Sequence, residues 1–95
     1  MQYEKFRQYL LQGHKQTFVD LCLRRAETIE NAYGREMDES TKDDVEMEDA
    51  LIALEHEIAR DDLDNYQNVL RHYYEMVHGH KFPMHVIGNR RLRTN

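Results

Sequence analysis

The sequence predicts an all-α fold, a compact bundle of three to four helices with a short, partly extended basic tail at its C-terminus. Three observations favour this class. Apolar residues recur at intervals of three and four over most of the 95 residues, no segment alternates apolar and polar residues as a strand does, and glycines interrupt or end the apolar stripes. Short connections between such helices favour antiparallel neighbours in one bundle.

Two apolar stripes of nearly the same phase occupy the N-terminal third. Tyr3, Phe6 and Leu10 mark the first stripe, and Gly34 ends the second. The second stripe consists of Phe18, Leu21, Cys22, Ala26, Ile29 and Tyr33. Gly13 lies between them and either ends a short first helix or sits within one longer helix at a cost of about 1 kcal/mol. We slightly favour a break.

The clearest amphipathic helix is expected at about residues 42–60. Residues 35–40 before it are predicted to form a loop, and Ser40 or Thr41 is a suitable N-cap. Asp43 and Asp44 then fall in the first turn, where carboxylates complement the helix dipole. Apolar residues follow at helical spacing, namely Met47, Leu51, Leu54 and Ile58.

A further helix is expected at about residues 62–78. The step of five from Ile58 to Leu63 breaks the apolar phase, so we place an interruption at Asp61-Asp62 with Asp61 as the N-cap. Gly79 ends this helix. Its apolar stripe is Leu63, Tyr66, Leu70, Tyr73 and Val77.

The predicted core combines these stripes, and the chain is long enough for one modest core. Its expected members are Phe18, Leu21, Met47, Leu51, Leu54, Ile58, Leu63, Leu70 and Tyr73. We assign residues 1–80 to a helical bundle domain and residues 81–95 to a docked or extended tail of the same domain, because this last segment contains the only proline and a Gly-Asn turn signal.

Composition excludes several protein classes. The chain is 40% hydrophobic and 33% charged, which is too apolar for obligatory disorder. Its one cysteine, Cys22, allows no intrachain disulfide and no CxxC pair, and its position on an apolar stripe indicates a core residue. No apolar run can span a bilayer, and the N-terminal residues lack a signal-peptide core. We therefore expect a cytoplasmic protein without membrane contact.

Charge is strongly segregated along the chain. Residues 36–64 carry thirteen carboxylates and two basic residues, a net charge of −11 within a chain of net charge −5. The segments on either side are basic. Five carboxylates crowd the start of the amphipathic helix, more than capping requires, and these predict a docking surface for a cationic partner. They are Asp43, Asp44, Glu46, Glu48 and Asp49.

Other interpretations of this charge stay open. A solvated helix face, neutralised by the basic ends of the chain, also accounts for it. Mimicry of the phosphates of a nucleic acid is a further possibility within the docking hypothesis. Direct nucleic-acid binding is disfavoured by the net negative charge. The tail residues Arg90, Arg91 and Arg93 are the second predicted partner-binding group.

Six histidines are many for this length, and four of them fall between residues 72 and 85. Their spacing matches no closed ligand set, so no metal is expected. A metal-binding bundle that uses this segment stays an alternative, because Glu75 and His78 share a helix face. All four glycines are isolated, which excludes a glycine-rich phosphate loop, and no cofactor is expected.

One motif suggests an enzyme. Arg71 is followed by the polar residue His72 and, seven positions on, by His78. This arrangement resembles the R-x(4–6)-H motif of HEPN ribonucleases, which are small helical bundles. The resemblance covers eight residues and implies that Arg71 and His78 act on a scissile phosphate, commonly across a dimer, with His72 in the second motif position.

The sequence thus favours a non-enzymatic interaction module: a regulator, adaptor or inhibitor that occupies a basic or nucleic-acid-handling partner protein through its acidic segment. Small accessory proteins of phages and other mobile elements often have this character. The HEPN-like ribonuclease or metal-binding bundle is the alternative, and a structural homo-oligomer is a third. A homodimer is compatible with each of these, since small helical chains often complete their cores by dimerising.

Overall fold

The structure, a computed structural model, describes residues 1–83, and these form five helices and no strand. The helices are α1 (Tyr3–Leu11), α2 (Gln16–Tyr33), α3 (Met37–Ser40), α4 (Asp44–Glu57) and α5 (Arg60–His78). The all-α class is confirmed. The helix count exceeds the predicted three to four because a four-residue helix, α3, occupies the segment that was expected to be a loop.

Helix α4 packs against α2, α3 and α5, and α1 packs against α2 and α5. Two contacts establish that α4 and α5 are antiparallel. Near the start of α4, Asp44 meets Tyr74 of α5, and near its middle the Leu51 carbonyl oxygen accepts a 3.0 Å hydrogen bond from the buried Gln67 side chain. The short connection between these helices therefore produces the predicted antiparallel pair.

The predicted core agrees with the observed one. Five of its nine members are buried and the other four are half-buried, so none is exposed. Helices α1 and α2 and the unpredicted α3 add the buried residues Phe6, Leu10, Val19, Leu23 and Met37. Cys22 is buried as predicted, and burial raises the pKa of its thiol, so this residue packs as a small apolar group.

Two glycines end helices as predicted. Gly34 and Gly79 have φ angles of 75° and 79°, in the left-handed region that residues with a Cβ avoid. The favoured break near Gly13 is also present, since α1 ends at Leu11 and α2 begins at Gln16. Gly13 itself does not adopt a positive φ, so the chain turns there without the left-handed cap.

The predicted N-cap of α4 is wrong. Asp43 caps this helix, because its Oδ1 accepts a 2.9 Å hydrogen bond from the backbone N–H of Glu46. Ser40 and Thr41 are buried at the end of α3 instead, where the Thr41 hydroxyl donates to the Met37 carbonyl at 2.8 Å. The unrecognised helix α3 thus takes up both residues that sequence alone offered as caps.

The predicted interruption before α5 exists, but it lies two to three residues earlier than expected. Ile58 and Ala59 have extended backbone conformations, α5 begins at Arg60, and Ala59 stands at the N-cap. The prediction of Asp61 as N-cap is wrong, because Asp61 and Asp62 lie in the first turn. A carboxylate is favourable both at the N-cap and in the first turn, because both positions lie beside the unpaired N–H groups at the start of a helix.

Helix α5 is rotated slightly from the predicted stripe. Val77 is 41% exposed and Tyr66 is half-buried, whereas Tyr74, which lies outside the predicted stripe, is buried. Beyond α5, Phe82 is also buried and lies edge-on to Tyr74 at 5.1 Å between ring centroids. No helix in the described part of the chain is long and apolar enough to span a bilayer.

Candidate functional site

The carboxylates of residues 36–64 spread over α3, α4 and the first turns of α5. Nine of the thirteen are exposed and four are half-buried. The exposed ones are Glu36, Glu39, Asp43, Asp44, Glu55, Glu57, Asp61, Asp62 and Asp64. Because the fourteen residues of α4 span about 20 Å, these exposed carboxylates divide into a group around the start of α4 and a group around its end.

The five predicted docking carboxylates have internal roles in the fold. Asp43 caps α4, and Asp44 accepts a 2.6 Å hydrogen bond from the Tyr74 hydroxyl. Glu46 pairs with Arg35, which follows the end of α2. Glu48 and Asp49 are half-buried and also have partners within the structure. A partner protein that used all five would have to compete with these contacts.

The corner between α4 and α5 offers carboxylates that face water. We call Glu55, Glu57, Asp61, Asp62 and Asp64 the corner carboxylates; they surround the extended residues Ile58 and Ala59. Asp62 also lines a shallow cavity with Arg24, Arg25 and Tyr66, where the Arg25 guanidinium lies 5.7 Å from the Tyr66 ring centroid. The tail residues Arg90, Arg91 and Arg93, the other predicted docking group, lie outside the described residues.

The predicted pair Arg71 and His78 occupies two different environments on α5. The Nε2 atom of His78 lies 2.5 Å from the Thr41 carbonyl oxygen, and because a carbonyl only accepts, this nitrogen carries the proton. The His78 ring also packs on Tyr74 at 4.1 Å between centroids. His78 therefore fastens the end of α5 to the α3–α4 connection, whereas Arg71 donates a 3.1 Å hydrogen bond to Asn68.

Arg71 and His72 instead belong to a cleft that the sequence did not reveal. It lies between the α1–α2 turn, the C-terminal half of α5 and the segment that follows α5. One cavity of about 380 Å³ is lined by His14, His72, Glu75 and Lys81, together with Tyr9, Gln12 and Gly13. A second, of about 260 Å³, is lined by Asn68, Arg71, His72, Glu75, Lys81 and Phe82. His72, Glu75 and Lys81 line both, so we describe them as one histidine cleft.

Aromatic contacts fix the two imidazoles of this cleft. The His14 ring stacks on Phe18 at 4.4 Å and meets the His72 ring edge-on at 5.5 Å between centroids. Phe18 lies perpendicular to His72 at 6.1 Å. Helix α2 therefore holds His14 against α5 through Phe18, which explains why this predicted core residue is only half-buried.

Charged groups of both signs surround His72. Burial lowers the pKa of His72 from its ordinary value, and the positive charges of His14 and Lys81 lower it further, while Glu75 opposes them. Burial and Glu75, which also accepts a hydrogen bond from the Tyr9 hydroxyl, raise the pKa of Tyr9. Burial and the charged groups of the cleft therefore both act on the protonation of His72.

No protein-family model, curated protein or solved structure matches this chain. The candidate sites consequently depend on geometry and chemistry alone. Within residues 1–83, no three histidine, cysteine or acidic side chains converge as ligands for a metal ion. The predicted metal-binding alternative finds no ligand set in this range.

Sequence reasoning missed the histidine cleft because His14 and His72 are 58 positions apart. Nothing in the local pattern around Gly13 indicates that the α1–α2 turn packs against the second half of α5. The one available signal is the high histidine content, but four of the six histidines cluster within residues 72–85 and His14 lies far from them in the chain. The i, i+3 relation of His72 to Glu75 places both on one face of α5, but their partners come from other elements.

Proposed function

We propose that this protein is an interaction module that docks on a cationic surface of a partner protein through the exposed carboxylates of residues 36–64. In this role it acts as a regulator, adaptor or inhibitor by occupying its partner. The observation that carries the proposal is that nine of the thirteen carboxylates in this segment are exposed. Such a surface attracts a basic groove at long range and speeds association by electrostatic steering.

Cations of the same chain contact some of these carboxylates. Lys42 lies 3.5 Å from Glu39, and the ammonium of Met1 lies 3.8–3.9 Å from Glu36 and Asp38. The exposed Lys42–Glu39 pair is of a kind that contributes little and is screened by salt. The segment itself has two basic residues against thirteen carboxylates, so its own net charge is −11.

The corner carboxylates are better suited to docking than the five predicted ones. A cationic partner reaches Glu57, Asp61, Asp62 and Asp64 without breaking the Asp43 cap, the Asp44–Tyr74 hydrogen bond or the Arg35–Glu46 pair, whereas Glu55 has a contact within the structure. Their carboxylates belong to three adjoining parts of the chain: the last turn of α4, the first turn of α5 and the turn after it. We therefore place the main docking surface at the α4–α5 corner.

Charge reversal at this corner tests the proposal. We choose Glu57→Lys with Asp64→Lys, because Glu57 ends α4, where a cation suits the dipole, and Asp64 lies beyond the first turn of α5. The matched control is Asp20→Lys with Glu27→Lys on exposed positions of α2, which changes the net charge equally. The wild-type protein and both variants are immobilised, and proteins captured from the native cell are identified by mass.

The expected partner is basic, is retained by the wild-type protein and by the control, and is lost from the corner variant. The corner variant, Glu57→Lys with Asp64→Lys, should associate with the purified partner more slowly than the wild-type protein. Its association rate should also depend less on salt concentration, because rim charges act mainly on the on-rate. Equal capture by the two double variants would contradict docking at the corner. Circular dichroism of each variant establishes that the helices are retained.

A further inference from the structure

We propose that the histidine cleft binds the phosphate group of a small phosphomonoester, at a site independent of the acidic docking surface. Four nitrogen-bearing side chains from three separate elements line the cleft. His72 of α5 and Lys81 after α5 line both cavities, His14 of the α1–α2 turn lines the larger one, and Arg71 of α5 lines the smaller one. A phosphate group carries nearly two negative charges and several strong acceptor oxygens, which such a set of donors matches.

Three of the four donors, His14, His72 and Arg71, are held by the fold before any ligand arrives. Phe18 stacks on His14, and the edge of His14 meets His72. Asn68 accepts a hydrogen bond from the Arg71 guanidinium at 3.1 Å and orients it beside the smaller cavity. Because these side chains are already positioned, binding costs less conformational entropy than it would on a flexible surface.

Glu75 is the acidic group that lines the same cleft, and it defines what kind of phosphate compound fits. The Glu75 carboxylate repels a bare anion. However, the Tyr9 hydroxyl donates a hydrogen bond to this carboxylate, and the cleft also contains two cationic side chains and two imidazoles. Glu75 can also accept a hydrogen bond from a hydroxyl group of the ligand. A phosphomonoester of a hydroxylated compound therefore uses both the cationic donors and this acceptor.

The dimensions and surroundings favour a small ligand over a nucleic acid. The two cavities, of about 380 and 260 Å³, lie near the lower end of the range for small-molecule sites. A long polyanion would extend beyond the cleft, and the chain as a whole carries a net charge of −5, which repels it.

Anion binding should couple to the protonation of the two histidines. The groups that face His72 are Tyr9 from α1, His14 from the α1–α2 turn, Glu75 and Arg71 from α5, and Lys81. Without a ligand the positive members of this set disfavour the imidazolium form of His72. A bound dianion reverses that balance, so binding should be accompanied by proton uptake and should strengthen as the pH falls toward 6.

Histidine ring resonances in NMR spectra provide the test. Inorganic phosphate and then glycerol 3-phosphate are titrated into the full chain, and sulfate, which keeps its dianionic charge, reports the pH dependence. Saturable shifts of His14 and His72 are expected, with tighter sulfate binding at about pH 6 than at about pH 8. Lys81→Ala should weaken phosphate binding by about tenfold or more, since hydrogen bonds to charged groups are the strong ones.

Matched variants separate the site from general charge effects. Lys42→Ala removes an exposed lysine near the acidic segment and should leave phosphate binding unchanged. His56→Gln, at an exposed position of α4, is the corresponding control for His72→Gln. Lys81 is exposed, so Lys81→Ala tests the site even where His72→Gln disturbs packing. Three results would overturn the proposal. The chemical shifts could change linearly without saturating, or Lys81→Ala and Lys42→Ala could weaken phosphate binding equally. A short single-stranded RNA could also bind more tightly than glycerol 3-phosphate.

Discussion

The Tyr74 hydroxyl donates a 2.6 Å hydrogen bond to Oδ1 of Asp44 and so joins the last turns of α5 to the first residue of α4. Tyr74 is buried, and three aromatic rings surround it: His78, His80 and Phe82. The ring contacts bury Tyr74, which lies outside the predicted apolar stripe, and the hydrogen bond gives Asp44 a structural role that competes with partner binding.

Removing that hydroxyl should destabilise the protein modestly. Tyr74→Phe retains the ring contacts but leaves Asp44 without its donor, and we expect a loss of about 1 kcal/mol in the free energy of unfolding. Urea denaturation measures the loss. Asp44→Asn combined with Tyr74→Phe completes a double-mutant cycle, and a coupling energy near zero would show that the hydrogen bond contributes nothing.

The same contact predicts how stability changes at alkaline pH. Burial and the Asp44 carboxylate raise the pKa of Tyr74 to about 12, above its ordinary value of about 10. The fold therefore favours the neutral phenol, and this contribution is complete below about pH 10 and lost as the pH rises toward 12. Over that interval the free energy of unfolding of Tyr74→Phe should fall less with rising pH than that of the wild-type protein. Denaturation at a series of pH values measures the difference.

Helix ends with a strong local signal could be predicted from sequence. Gly34 and Gly79 end α2 and α5 because only glycine adopts the left-handed conformation there without cost. The helical spacing of apolar residues predicted the core correctly, because the apolar face of a helix packs against its neighbours even when the exact start of the helix is not known. These features depend on residues close together in the chain.

Features that depend on tertiary contacts could not be predicted. Helix α3 is too short to show a period, and Met37 within it is buried by packing against neighbouring helices. The position of Tyr74 depends on Asp44, thirty residues earlier, and the histidine cleft depends on His14 in the α1–α2 turn, 58 residues before His72. The charge of residues 36–64 was evident, but which carboxylates remain exposed followed only from the packing.

The cap of α4 gives a second prediction. Asp43→Ala removes the acceptor for the Glu46 N–H and should lower the free energy of unfolding by about 0.5–2 kcal/mol. Asp43→Ser retains a capping oxygen and should stay close to the wild-type protein. Urea denaturation distinguishes the two variants. Equal losses in both would indicate that charge at the helix start matters and the capping hydrogen bond does not.

Two partly buried hydrogen bonds of the Tyr73 hydroxyl give a further prediction. The Tyr73 hydroxyl accepts a 2.8 Å hydrogen bond from the Gln2 backbone N–H and donates one of 2.7 Å to Asp38. Burial alone would raise the pKa of Asp38, but the hydrogen bonds from Gln2 and Tyr73 lower it below its ordinary value. The ionised carboxylate is therefore the form that stabilises the fold.

Because the pKa of Asp38 is lowered, its contribution to stability is present above about pH 4 and is lost as the pH falls below that value. Asp38→Asn should lower the free energy of unfolding by about 1–3 kcal/mol at neutral pH. The free energy of unfolding of this variant should also fall less than that of the wild-type protein as the pH is lowered. Denaturation between neutral and acid pH measures both effects. If the free energy of unfolding falls as much with acid pH in Asp38→Asn as in the wild-type protein, the pH dependence belongs to other carboxylates.

The last prediction concerns His72, whose pKa is lowered first by burial and then by the positive charges of His14 and Lys81. A lowered pKa means that the fold favours the neutral imidazole. Its contribution to stability is present above about pH 6.5, the ordinary value, and is lost as the pH falls below it. His72→Gln cannot be protonated, so its free energy of unfolding should change less than that of the wild-type protein between about pH 7 and about pH 5.

Two single substitutions of opposite sign test the electrostatic cause directly. Lys81→Ala removes a positive neighbour and should raise the pKa of His72, whereas Glu75→Gln removes the negative neighbour and should lower it. NMR titration of the His72 ring measures both shifts. If neither variant shifts this pKa, burial alone sets it, and the charges of the cleft do not act on the imidazole. Opposite shifts would show that Lys81 and Glu75 set the protonation of His72 together with burial, so that charge within the cleft acts directly on the imidazole.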